Sequence, residues 1–114
     1  MTTDTIVGIS IDPEVLRNYF KRLVNHFFKI LPMRENNEES LVTYMQSLQL
    51  ELLGCRNFIK TLNDDPNYLT ILSILQYLID NPGCSVTQVK REVFRAISIC
   101  NKLQSKFLSK EVSR

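Results

Sequence analysis

YLTILSILQYLI, residues 68–79, decides the architecture: nine of its twelve residues are apolar, and no charged side chain occurs between Pro66 and Ile79. A helix that is apolar on every side has to be covered on every side. The stretch is too short to cross a bilayer, which takes about 20 apolar residues, so it reads as the central helix of a core. Its boundaries are written in the flanks. Asp65 before Pro66 is a helix start, because the carboxylate accepts from free backbone amides and proline at the first helical position gives up no needed donor. Asp80, Asn81, Pro82 and Gly83 make the turn that ends it.

Asp12 before Pro13 repeats the same device and opens a predicted helix over 13–31. Leu16, Leu23 and Ile30 recur every seven residues with Phe20 and Phe27 beside them, while Arg17, Lys21, Asn25 and Lys29 step by four along another face. Pro32 is expected to stop this helix. Asn36 and Glu39 have the spacing of a capping box for a helix over 38–62. Its apolar positions Leu41, Met45, Leu48, Leu52, Cys55, Ile59 and Leu62 alternate steps of four and three, the pattern of a seam between helices. Gly54 inside it costs about 1 kcal/mol relative to Ala, and close approach of another backbone is the expected compensation. Ser85 and Gln88 form a second capping box, for a helix over 86–109 with Val89, Val93, Ala96, Cys100, Leu103 and Phe107 on one side. The β-branched TIVGISI before Asp12 suits a short extended arm. The chain therefore reads as an all-α, four-helix, bundle-like single domain over residues 1–114.

At 114 residues and 44% hydrophobic the chain supports one core. Charged residues are 23% and the net charge is +2, so composition points neither to disorder nor to indiscriminate nucleic-acid binding. The distribution is uneven. Residues 1–84 hold seven Lys or Arg against ten Asp or Glu, net −3, whereas residues 85–114 hold seven against two, net +5. On the last helix Arg91, Arg95, Lys102 and Lys106 lie within about 60° of one another, opposite its apolar side. Such a stripe is either the solvated face of an amphipathic helix or the electrostatic footprint of an anionic partner.

ILSILQYLIDNPGCSVTQVKREVFRAISICNKLQSKFL, residues 71–108, resembles a winged helix-turn-helix in its order of apolar helix, Pro-Gly turn, capped helix and periodic apolar segment. The resemblance implies DNA reading by the last helix. The stretch departs from that pattern where Glu92 to Ile97 continues the helical period without the break such a motif needs, and little chain follows Phe107 to form a wing.

Catalytic chemistries lack their residues. His26 is the only histidine, which excludes zinc sites of paired histidines and Glu-x-x-His di-metal bundles. Cys55, Cys84 and Cys100 form no Cys-x-x-Cys pair, and with no secretory pattern at the N-terminus they read as reduced thiols of a cytoplasmic protein. The acidic pairs Glu38–Glu39 and Asp64–Asp65 sit at predicted helix starts, where capping explains them. The three glycines are isolated, so no phosphate-cradling loop is present. No cofactor and no metal are expected.

Tyr19, Phe20, Phe27 and Phe28 interleave with Lys21, Arg22 and Lys29, which describes either core packing or a stacking surface for single strands. Four aromatics exceed the need of a narrow seam. Together with the all-round apolar helix they suggest self-association, with Phe20, Phe27, Phe28, Tyr68 and Tyr77 at the oligomer interface. The functional expectation is a non-catalytic, homo-oligomeric regulator or adaptor that engages an acidic or anionic partner, a protein foremost, through Arg91, Arg95, Lys102 and Lys106. Two alternatives stand beside it. One is a DNA- or RNA-binding regulator. The other is an oligomer that sequesters a phosphorylated small molecule between subunits, using residues such as Arg56, Lys60 and Arg91.

Overall fold

The computed structural model describes residues 12–58 and 60–112, with the side chains of 58, 60, 61 and 107–112 outside the description. The arm expected before Asp12, Ile59 and the side chain of Phe107 therefore lie outside the described residues. The elements are α1 (Pro13–Glu35), α2 (Leu41–Phe58), the four-residue α3 (Lys60–Asn63), α4 (Pro66–Asp80) and α5 (Val86–Val112), with no strand among the described residues. Four long helices thus form an all-α bundle.

The Asp-Pro starts act as expected. Asp12 Oδ1 accepts from the Glu14 amide at 2.9 Å, and Asp65 Oδ1 accepts from the amides of Asn67 at 2.8 Å and Tyr68 at 3.1 Å. Ser85 Oγ likewise accepts from the Gln88 amide at 3.1 Å, although the Gln88 side chain turns forward to Glu92 and so closes only half of the box.

The first connection departs from expectation. α1 runs through Pro32 to Glu35. Proline is tolerated there because it falls in the last turn, where its missing N–H leaves one carbonyl unserved on an exposed face. Asn36 then closes α1, its amide reaching Pro32 O at 2.9 Å, and so opens nothing. Asn37 takes a left-handed φ of 52°, with its amide on Arg34 O at 3.1 Å and the Glu38 amide on Met33 O at 2.9 Å. These two bonds are the Schellman termination, and asparagine is the commonest residue after glycine to fill its left-handed position. α2 begins only at Leu41, after the Ser40 carbonyl accepts from Tyr44 at 2.9 Å.

The helix expected to reach Leu62 is described as α2 to Phe58 and α3 from Lys60 to Asn63, with Ile59 between them outside the described residues. The Arg56 Nε–H donates to Asn63 O at 3.0 Å while Asn63 Nδ2 donates to Arg56 O at 3.4 Å, which ties α2 to α3. Gly54 supports no close crossing, since a Cβ built there meets nothing within 4 Å.

Cross-links fix the direction of each neighbour. Tyr19 pairs with Glu51 and His26 with Tyr44, so α1 and α2 are antiparallel. Leu52 O accepts from the Tyr68 hydroxyl at 2.7 Å and Gln49 Nε2 donates to Gln76 at 2.7 Å, which makes α2 and α4 antiparallel. Asp65 meets Lys106 across α4 and α5, and the Phe28 ring meets Phe94 across α1 and α5. The first and last helices are therefore neighbours. Arg34 closes that end of the bundle, donating from Nη2 to Cys84 O at 2.8 Å, from Nε to the same oxygen at 3.3 Å and from Nη1 to Asn37 Oδ1 at 3.0 Å.

The core follows the heptad reading. Leu16, Phe20, Leu23, Phe27 and Ile30 of α1 are buried against Leu41, Met45, Leu48 and Leu52 of α2, five residues of α4, and Val89, Val93, Ala96, Cys100 and Leu103 of α5. Phe20 packs edge-on to Tyr68, ring centroids 6.1 Å apart, a geometry that adds about 1 kcal/mol to burial alone. Burial also pushes the Tyr19 and Tyr68 hydroxyls well above their ordinary pKa, so both stay protonated and donate. No buried side-chain nitrogen or oxygen among the described residues lacks a hydrogen-bond partner.

Candidate functional site

The four residues of the basic stripe do not share one condition. Lys106 reaches across to Asp65, the buried N-cap of α4, so its charge is already paired within the fold. Burial alone would raise the Asp65 carboxyl pKa. The Lys106 ammonium and the amides of Tyr68 and Asn67 outweigh burial and hold it below the usual carboxylate value. Arg95 pairs with Glu92 one turn back at 3.0 Å, and Arg91 donates to Gln88 Oε1. The Arg95 pair joins an exposed guanidinium to a half-buried carboxylate one turn away on the same helix, worth about 0.5 kcal/mol, so the guanidinium can be exchanged to another anion. Lys102 is exposed and makes no ion pair among the described residues.

The neighbour of α5 extends the positive surface. Between Val15 and Arg34, α1 carries five basic residues and no acid, and between Val86 and Lys106, α5 carries five with the single acid Glu92. Acids elsewhere in the described chain lie in connections, caps and helix ends (Asp12, Glu14, Glu35, Glu38, Glu39, Asp64, Asp65, Asp80 and Glu111), apart from Glu51 within α2. Lys21, Arg22, Lys29 and Lys90 are exposed, with Arg22 stacked 5.9 Å from the centre of the Tyr19 ring.

The aromatics expected at an oligomer seam separate cleanly. Phe20, Phe27 and Tyr68 have no exposed surface in the single chain and are core residues, a correction that follows from their places on the α1 and α4 faces turned inward. Phe28 remains 42% exposed and Tyr77 38% exposed. Phe28 meets Phe94, itself 48% exposed, edge to face with centroids 5.9 Å apart. Phe94 was outside the residues singled out from sequence, where its only signal is an aromatic lying off the apolar side of α5.

Among the described residues the α4 helix is not covered all round. Leu69 and Leu72 are half-buried beside Leu53, Gln49, Ser73 and Gln76 in an open groove of about 360 Å³ between α2 and α4. Leu50, one residue along α2 from the groove's Gln49, is 70% exposed. Among the described residues α2 and α5 flank α4 and leave its outer side open.

Other expected chemistries are not assembled. Arg56 is held by Asn63 on α3, Arg91 lies on α5, and the Lys60 side chain is outside the description, so no shared pocket of these three is described. The α4–turn–α5 unit also differs from a helix-turn-helix. Residues at both ends of α4 lie along one unbroken α5, an antiparallel hairpin instead of the roughly perpendicular crossing that motif requires. Among the described residues no group of three His, Cys, Asp or Glu stands together to hold a metal ion, and no helix is long and apolar enough to cross a membrane. His26 is half-buried and hydrogen-bonded to Tyr44 at 2.9 Å. No family model, curated protein or solved structure matches this chain.

Proposed function

We propose that the protein is a non-catalytic binding protein, a small cytoplasmic regulator or adaptor, which engages an anionic partner through Arg91, Arg95 and Lys102 of α5 and the adjoining face of α1. One observation carries this reading: the fold sets its two acid-poor helices side by side, leaving Glu92 as the single acid over both stretches. Summed positive charge of this kind attracts anions over a Debye length, about 8 Å at physiological salt, and steers their approach. Self-association belongs to the same proposal, with Leu50, Tyr77 and the α2–α4 groove as the remaining apolar surface, and light scattering of the purified chain measures it.

The test is charge reversal at Arg91→Glu and Arg95→Glu, read as the salt concentration that elutes the protein from a heparin column. Both side chains are exposed, so circular dichroism should be unchanged while elution moves to clearly lower salt. An unchanged elution salt would reduce the stripe to a solvated helix face.

A further inference from the structure

Resting on that reading, we propose that the anionic partner is a single-stranded nucleic acid, bound across α1 and α5 with Phe28 and Phe94 as its stacking platform. Lys21 and Lys29 on α1 and Lys90, Arg91, Arg95 and Lys102 on α5 follow its phosphates. Lys21 precedes Phe28 by seven residues, two helical turns, and so shares its side of α1. Lys90 precedes Phe94 by one turn and Lys102 follows it by about two, so cations lie on both sides of the ring pair along an axial span of about 18 Å. All four lysines are exposed and make no ion pair among the described residues.

Two phenylalanines from different helices stay more than 40% exposed while Phe20 and Phe27 of α1 are fully buried and Tyr19 half-buried, and they meet edge to face. An acidic peptide would be satisfied by the cations alone. A nucleic-acid strand has π faces to lay on an aromatic, whichever base it carries.

The major groove of duplex DNA is about 12 Å across and admits one helix, and a single helix with its side chains already measures about 10–12 Å. α1 and α5 lie side by side and present roughly twice that, so the platform cannot enter a groove and its rings would meet only the outside of a duplex. A flexible single strand can drape over it.

The experiment is fluorescence anisotropy at low salt with three labelled probes of equal length: oligodeoxythymidine, an abasic phosphodeoxyribose strand, and a hairpin duplex. Oligodeoxythymidine should bind at least tenfold tighter than the other two, about the worth of one stacked base. Phe94→Leu, which keeps an apolar side chain and removes the ring, should lower that affinity to the abasic level, and Phe28→Ala is the second variant should Phe94→Leu prove unstable. Log affinity should fall with log salt at a slope of roughly −4 for six phosphate contacts on a single strand. Equal binding of the abasic strand or the duplex, or indifference to Phe94→Leu in a folded protein, would overturn the stacking surface and leave the anionic-partner reading standing. Binding of none of the three probes, nor of polyglutamate, would overturn both.

Discussion

Replacing Lys106 with Met should cost more than replacing its partner Asp65 with Asn, although both changes delete the same ion pair. Asn caps a helix about as well as Asp, so Asp65→Asn keeps the bonds from Asn67 and Tyr68 and loses only the attraction to a lysine that is 48% exposed. That loss is discounted by solvent to about 0.5–1 kcal/mol. Lys106→Met instead strands a carboxylate whose side chain is 2% exposed, with only two backbone amides to hold its charge. Removing one partner from a buried, charge-assisted bond costs about 2–3 kcal/mol. The double variant should then resemble Asp65→Asn alone. Urea melts followed by circular dichroism at pH 7 measure all three, urea being preferred because a guanidinium salt would screen the pair. The sign of the pH dependence is fixed by the lowered Asp65 pKa: its stabilisation is complete above the unfolded value of about 3.9 and is lost as pH falls through the folded one. Wild type and Lys106→Met should therefore converge on acidification. Costs that add in the double variant, or a Lys106→Met no worse than Asp65→Asn, would refute the claim that Lys106 belongs to the fold.

Gly54→Ala should stabilise the protein by about 1 kcal/mol in the same melts, because the new Cβ meets nothing within 4 Å and Ala is the better helix former; a loss of stability would restore a close crossing there. Phe20→Ala should cost about 3–5 kcal/mol and Phe28→Ala under about 1, since one ring is fully buried and the other 42% exposed. Similar costs for the two would contradict that assignment. In the native protein Cys55 and Cys84 should alkylate with iodoacetamide while Cys100, buried and with its thiol pushed up to about 12, should stay unmodified until unfolding; mass spectrometry of the tryptic peptides tells them apart, and early labelling of Cys100 would place it outside the core.

What was legible in the sequence is what local chemistry decides. Asp12-Pro13 and Asp65-Pro66 announced two helix starts because the capping carboxylate and the donor-free proline act within three residues of each other. The heptad positions of α1, α2 and α5 named most of the core, because one apolar side per helix is all that an antiparallel ring of four requires. The errors lie where a residue has two local uses. Asn36 and Asn37 could cap the start of a helix or close the end of one, and closure won because α1 carried past Pro32 and brought its last carbonyls within reach. Lys106 looked like the fourth member of a stripe, and only the packing of α4 on α5 reveals a partner 41 residues away. The Phe28–Phe94 contact is of the same kind, joining residues that no window of sequence sees together.

The basic surface illustrates how topology can concentrate what the linear sequence disperses. Counted along the chain, the first 84 residues are net negative, and that sum conceals α1, whose interior has no acid from Val15 to Arg34. The acids that outweigh it sit mostly at helix starts and in connections, where the partial positive charge of the helix N-terminus favours them. Acids placed by capping are confined to the ends of the bundle, and basic residues are left to the long faces between. An up-and-down ring of four then makes neighbours of its first and last helices, and in this chain those are the two whose faces are acid-poor. The α2 helix, by contrast, carries only Glu51 and Arg56, and α4 only its terminal Asp80. Had the bundle closed with α2 beside α5, the two basic faces would lie apart with nearly uncharged helices between them; closed as it is, one side gathers nearly all of the exposed positive charge among the described residues together with the exposed Phe28–Phe94 pair.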